Sequence, residues 1–223
     1  MQLTVKDAAH SLNVAEKTVY RWIQSGGLPA YRVAGQYRIN RAMLFDWATS
    51  KRINFSADSA VAESEPNVLP LLSDALQEGG IHYRVGGKTK AEALKAAVEL
   101  LKLPDHVNRE FLHQALMTRE QLQSTGIGDG VALPHVRNPA VFELLLPQVC
   151  LCFLEASIPF DALDGKPVHV MFLPLAPNVR SHLHLLSRIS FALRQPSFKA
   201  LVEAEAGRER ILKALRQLES PAD

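Results

Sequence analysis

The sequence predicts an α/β (α+β) protein of two domains: a small winged helix-turn-helix over residues 1–52, a linker over 53–66, and a mixed-sheet α/β sandwich with helices on both faces over 67–219. Three observations lead to it. Charge is unevenly divided, since residues 1–52 hold eight basic and three acidic side chains, a balance of +5, whereas the remainder holds 17 and 20, a balance of −3, within a total of +2. Residues 56–66 are small or acidic, with few large apolar groups and a closing Pro66, the composition of a flexible tether. Hydrophobic periodicity also changes: helix-helix-hairpin-helix patterns precede the tether, and helices mixed with branched, apolar strands follow it.

The first predicted helix follows Thr4, a capping residue, with Val5, Ala8, Ala9 and Leu12 recurring at three- and four-residue steps until Asn13. A second, after Val14, turns Val19, Trp22 and Ile23 inward and ends at Gly26-Gly27. Two short helices joined by a tight turn form a helix-turn-helix, whose second helix fits a major groove about 12 Å wide. Tyr31-Arg32-Val33 and Tyr37-Arg38-Ile39 alternate apolar with arginine around Ala34-Gly35-Gln36, as a hairpin, or wing, would. That alternation predicts Arg32 and Arg38 together on the face opposite the apolar side chains, where phosphates or the minor groove can be met. A third helix, capped by Asn40, brings Met43, Leu44 and Trp47 to the core. Lys17, Thr18 and Arg21 on the second helix, with Arg32, Gln36 and Arg38 on the wing, are the candidate DNA contacts.

Beyond the tether, Val68, Leu71, Leu72, Ala75 and Leu76 are spaced for a helix that Gly79-Gly80 ends, and Ile81-His82-Tyr83-Arg84-Val85 alternates like an edge strand. Helices are expected over 90–101 and 108–118, strands over 149–154 and 168–173, and further helices over 181–193 and 198–218. Cys150 and Cys152, the only cysteines, are too few for a disulfide framework and lack zinc-ligand spacing, so buried, reduced thiols in a strand are expected. The apolar runs fall short of the roughly 20 residues a bilayer span needs. The amino-terminal stretch enters a helical pattern without a basic leader or apolar run. A cytoplasmic protein without membrane insertion is the expectation.

One segment carries chemistry: residues 124–135, ending Ala132-Leu133-Pro134-His135. Ser124, Thr125, Gly126, Gly128 and Gly130 are candidates for a phosphate-holding loop, because glycines permit positive φ and close approach to an anion. A short strand then presents His135, whose neutral imidazole has a lone pair able to attack phosphorus. No Lys-Ser or Lys-Thr follows the glycines, which excludes a nucleotide-binding P-loop. His10, His82, His106, His113 and His169 are scattered and read as surface or structural residues. His182 and His184, two apart on a helix, do not share a face, so neither a metal nor another cofactor is expected.

Two resemblances extend this reading. Through Leu3-Thr4-Val5-Lys6-Asp7-Ala8-Ala9, Lys17-Thr18-Val19-Tyr20-Arg21-Trp22-Ile23 and Gly27-Leu28-Pro29-Ala30-Tyr31-Arg32-Val33, residues 2–49 resemble the excisionase-type, MerR-like winged-helix domains. Through Thr118-Arg119-Glu120, Ala132-Leu133-Pro134-His135, Ile158-Pro159-Phe160-Asp161 with Asp164-Gly165, and His182-Leu183 with Leu186, residues 67–218 resemble the IIA domain of the bacterial phosphotransferase system, in its fructose, mannitol and nitrogen-regulatory branch. The second resemblance implies that His135 accepts a phosphoryl group, that His182 is its companion, and that Arg119 shares the pocket. It also implies the donor, a histidine phosphocarrier protein charged from phosphoenolpyruvate, and hence a phosphoryl-accepting component rather than an independent enzyme. In that family a small residue, usually glycine, follows the acceptor histidine. Here Val136 does, and a branched neighbour is expected to restrict docking or alter the loop.

Together these expectations describe a DNA-binding transcriptional regulator modulated by phosphorylation, its partners being DNA and the phosphocarrier. The alternatives are a phosphoryl carrier serving a sugar transporter and a regulator that binds protein without being phosphorylated. A homodimer would enlarge the limited contact one winged helix makes with DNA.

Overall fold

The computed structural model describes residues 2–33, 35–51, 53 and 69–220. The chain divides into two compact units, Met1–Asn67 and Val68–Asp223. Apart from Ile53, the linker expected over 53–66 lies outside the described residues, as does Val68 of the first expected sandwich helix.

In the first unit, strand β1 (Gln2–Leu3) leads into α1 (Val5–Ser11), α2 (Glu16–Gln24), the hairpin β2 (Tyr31–Val33) and β3 (Gln36–Asn40), and α3 (Arg41–Ser50). Thr4 caps α1 in a reciprocal capping box: its hydroxyl accepts from the Asp7 N–H, and the Asp7 carboxylate accepts from the Thr4 N–H at 2.9 Å. Asn40 caps α3 by accepting from the Met43 N–H at 3.3 Å. Leu3, Ala8, Leu12, Val19, Ile39 and Leu44 form the buried core, and Trp22 packs on Trp47 with ring centres 4.9 Å apart.

Two details differ from the sequence reading. A two-residue strand, β1, precedes the first helix, with Gln2 opposite Asn40 and Leu3 opposite Ile39, so the sheet order is β1-β3-β2. The wing arginines do not share a face. Arg32 stands opposite Tyr37, and Tyr31 opposite Arg38. Opposed residues of an antiparallel pair project to the same side and neighbours along a strand to opposite sides. Arg32 therefore lies with Tyr37 and the core residue Ile39, and Arg38 on the other side with Tyr31 and Gln36. The even spacing of both arginines concealed this, because hairpin register decides how the two strands' alternations combine.

In the second unit, α4 (Leu72–Gly79), β4 (Ile81–Val85), α5 (Lys90–Leu100) and α6 (Arg109–Leu122) precede a short hairpin, β5 (Gly126–Gly128) and β6 (Val131–Ala132). A single 3-10 turn, Pro139–Phe142, leads to the long strands β7 (Gln148–Ile158) and β8 (Val168–Leu175), and α7 (Val179–Leu193), α8 (Pro196–Glu203) and α9 (Arg208–Glu219) close the unit. The sheet runs β4-β7-β8-β6-β5 and is mixed: β4 with β7 and β6 with β8 are parallel, β7 with β8 and β5 with β6 antiparallel. β4 is an edge strand, as expected, but its alternation breaks where Arg84 takes a positive φ (55°) and the register with β7 shifts between His82 and Val85.

Alternation in β7 and β8 builds two layers. Cys150, Cys152, Leu154, Met171, Leu173 and Leu175 share one core with Ala93, Leu94, Ala97, Leu112 and Leu116 of α5 and α6. Their strand neighbours turn to the other face, where α4 packs on β7, α7 on β8, and α8 and α9 add to the same layer. The fold is thus the mixed α/β sandwich with helices on both faces. Both cysteines are buried and form no disulfide, and their thiols share a hydrogen bond with the sulfurs 3.5 Å apart. The single helix expected over 198–218 is two, because Glu205 takes a left-handed conformation (φ 47°) between α8 and α9. Among the described residues no helix is long and apolar enough to cross a membrane.

Candidate functional site

Three elements bring Arg119, His135 and His182 together. α6 runs a turn further than its periodicity predicts, which places Arg119 in its last turn; there the guanidinium donates to the Gln123 carbonyl at 2.8 Å, as a cation at a helix C-terminus should. His135 follows β6, and His182 closes the first turn of α7, beyond the cap Asn178. The Ser181 N–H donates to the Asn178 side chain and the His182 N–H to its carbonyl, so the helix itself engages these two groups rather than leaving them for an anion.

The His135 ring is held from both sides. Nδ1 lies 2.8 Å from the Leu133 carbonyl, and Arg119 Nε lies 3.2 Å from Nε2. A carbonyl only accepts and an arginine Nε only donates, so the proton sits on Nδ1 and the lone pair on Nε2. The His182 ring is 5.9 Å away, centre to centre, tilted by 52°. All three residues are withdrawn from solvent, Arg119 and His135 being 4% and His182 3% exposed. The imidazole is therefore less accessible than its presentation at the end of a short strand suggests. Val136 does not stand in the open beside it: its side chain is buried in the core cluster with residues of α5 and α6.

A second network backs this group. Glu120, next to Arg119, accepts from the Thr125 N–H and hydroxyl and pairs with Lys90 Nζ at 3.1 Å; Lys90 also meets Asp161 at 2.9 Å. Burial pulls the Lys90 ammonium's pKa down, but the bonds to Asp161 and Glu120 outweigh it and hold the value above the ordinary lysine range. Ser124 donates to the Phe160 carbonyl and accepts from the Gly126 N–H. Sequence reasoning gave no role to Lys90, the Leu133 carbonyl or the Glu120 carboxylate. The signal available for the last was its place beside Arg119, five residues before Thr125.

The expected phosphate-holding loop separates into two parts. Ser124, Thr125 and Gly126 lie at the open end of the β5-β6 hairpin, where the Leu133 N–H donates to the Thr125 carbonyl, on the His135 side. Gly128 and Gly130 lie at its closed end, which points away from His135. Their positive φ values, 95° and 74°, serve the tight turn, and a side chain at Gly130 would overlap the His169 ring. Ionic contacts from Asp129 to Lys199 (2.9 Å) and Lys166 (3.5 Å) fix that turn. A structural demand, not an anion, accounts for these two glycines.

On the helix-turn-helix unit, Lys17 and Arg21 are exposed and Thr18 half-buried on α2. Arg32 and Gln36 are exposed on the hairpin, with Arg38 half-buried. Arg38 Nη2 donates to the Gln36 side chain at 3.1 Å and Arg32 Nη2 to the Tyr37 hydroxyl at 3.1 Å. The other histidines hold structural or surface places: His113 contacts the Ala91 carbonyl, His169 packs on Gly130, and His10 and His106 are exposed.

This architecture is that of phosphotransferase-system IIA domains, carried behind a helix-turn-helix. Residues 74–218 match the family described as phosphoenolpyruvate-dependent sugar phosphotransferase system, EIIA 2, and the chain belongs to that family; residues 3–52 match the helix-turn-helix domain family. The Nitrogen regulatory protein of Escherichia coli (strain K12) is 32% identical over 154 residues, covering 68% of this chain and 93% of that protein. The fructose-specific EIIABC component of Bacillus subtilis (strain 168) is 30% identical over 139 residues, covering 60% of this chain but 21% of its own length. Among solved structures, the nitrogen regulatory protein IIA-Ntr of Neisseria meningitidis superposes with a TM-score of 0.56 at 26% identity, covering 66% of this chain and 99% of that one.

Proposed function

We propose that the chain is a DNA-binding transcriptional regulator whose IIA-like domain accepts a phosphoryl group on His135 from a histidine phosphocarrier protein of the phosphoenolpyruvate-dependent phosphotransferase system. The observation that carries this reading is the tautomer, with Leu133 holding the Nδ1 proton and the Nε2 lone pair turned to Arg119. In the transfer, Nε2 bonds to phosphorus while the bond from phosphorus to the donor's ring nitrogen breaks and its electron pair returns to that ring. The Nδ1 proton stays on the Leu133 contact. Phosphoryl transfer spreads charge over three equatorial oxygens, so positioned cations and donors do most of the work. Arg119 would exchange its contact with Nε2 for one with a phosphoryl oxygen, and His182 would donate to another. The likeness to nitrogen regulatory proteins supports a regulatory role, and the basic helix-turn-helix unit supplies the output at DNA. We infer a domain boundary at the acidic tether over 53–66, and a cytoplasmic location follows from the donor's.

Burial of the His135 ring favours one other reading, a regulator that binds protein and takes no phosphate. Incubation with phosphoenolpyruvate and purified general phosphotransferase components separates the two. Acid-labile phosphate is expected on the wild-type chain, none on His135→Ala, and slower incorporation on His182→Ala. A wild-type chain that stays unlabelled, or a His135→Ala chain labelled normally, would refute the assignment.

A further inference from the structure

We propose that Arg32 and Tyr37 of the wing, with Tyr20 of α2, form a positioning clamp that sets the wing against the recognition helix, so that Arg32 controls how selectively the unit reads DNA rather than neutralising a phosphate. The proposal rests on the reading of this unit as DNA-binding.

The contacts form a chain. Arg32 and Tyr37 face each other across the hairpin, the guanidinium carbon lies 4.8 Å from the centre of the tyrosine ring, and Nη2 donates to its hydroxyl at 3.1 Å. A planar cation stacked on a ring and bonded to its hydroxyl has little freedom left to swing toward a phosphate. The same ring meets Tyr20 edge-on, with centres 6.1 Å apart and planes at 65°. Tyr20 stands one turn after Lys17, on the same face, and directly before Arg21. The clamp thus ends in the turn of α2 that holds the candidate base contacts. β2 is also an edge strand of the three-stranded sheet and pairs, among the described residues, with β3 alone, so side-chain contacts of this kind help to hold it. Arg38, on the opposite side of the hairpin and bonded to Gln36, takes no part.

The test uses the full chain and the duplex it enriches from a randomised library, with unselected duplex as competitor, across a salt series. Each phosphate contact contributes about 0.9 to the slope of log affinity against log salt, so a slope unchanged in Arg32→Gln marks a residue that meets no phosphate. Arg32→Gln and Tyr37→Leu are each expected to lower preference for the enriched duplex about fivefold, and the double variant to fall no further than the worse single one, as contacts acting in series do. Tyr37→Phe, which keeps the ring, should retain most of the preference and guards against misfolding as the cause. The clamp is overturned by a slope that flattens by about 0.9 in Arg32→Gln with preference intact, or by losses that add in the double variant. A wild-type chain that enriches no sequence removes the DNA-binding reading and the clamp with it, whereas selective wild-type binding that Arg32→Gln leaves unmoved removes the clamp alone.

Discussion

A carboxylate withdrawn from water has to be met by donors, and Glu120 is met by three: the Thr125 N–H, the Thr125 hydroxyl and Lys90. Removing it would strand the Thr125 N–H and hydroxyl and leave Lys90 with Asp161 alone, near the turn that carries the Gln123 carbonyl, on which Arg119 rests. Glu120→Ala is expected to destabilise the IIA-like unit by about 3 kcal/mol in urea unfolding, since breaking a buried pair leaves uncompensated partners behind. It should also slow labelling of His135, because Arg119 loses its footing. Arg38 offers a different prediction. It lies across the hairpin from Arg32, half-buried, with its guanidinium on the Gln36 side chain; exchanging that contact for one with the DNA backbone would make it a phosphate contact, so Arg38→Gln should weaken binding to all duplexes alike and flatten the salt dependence by about 0.9. The roles of Arg32 and Arg38 could not be told apart in the sequence, where both follow a tyrosine, because side is set by which residues the turn brings face to face. His135 was legible for its Pro-His ending. The carbonyl that fixes its tautomer was not, since any residue could supply it.

Among the elements, the capped starts of helices were the most legible part, whereas α6 runs a turn past its expected end. Thr4 and Asn40 cap as their side chains predict, and Asn108 caps α6 in the same way, because capping is a local contest between a side chain and three or four backbone groups. The Thr4–Asp7 box has a measurable signature. Hydrogen bonds from the Thr4 N–H and hydroxyl hold the Asp7 carboxyl below its ordinary pKa. A depressed acid stabilises above its unfolded pKa and ceases to as pH falls through the folded value. Thermal unfolding of the full chain should therefore show an acid-dependent loss below about pH 4 that Asp7→Asn lacks. The β5-β6 turn makes a steric prediction: Gly130→Ala combines a positive φ with overlap on His169, and should cost about 2 kcal/mol. What escaped the sequence depended on distant partners. β1 exists because Leu3 finds Ile39, and the break between α8 and α9 lies at a glutamate that no propensity scale marks as a stop. Gly128 and Gly130 misled for a related reason, since positive φ serves a hairpin as readily as it serves an anion.

At the scale of the whole chain, charge and hydrophobic patterning fixed the two-unit organisation, because both are sums over many residues and tolerate local error. The division of charge also has a functional consequence: a +5 segment at residues 1–52 should give DNA binding that weakens steeply with salt. Gel-shift assays on phosphorylated and unphosphorylated chain test whether the IIA-like domain governs that binding; a difference that His135→Ala abolishes is expected, and indifference to phosphorylation would leave the two units merely adjacent. The sulfur pair of β7 adds a tool that needs no engineering. Both thiols of the chain sit in the interior of one unit, on a strand flanked by neighbours on each edge, and the helix-turn-helix unit has none. A thiol-reactive dye added in pulses should therefore stay silent while that sheet is closed and colour only the fraction whose sandwich has opened, giving each variant's IIA-like stability without interference from the other half of the molecule.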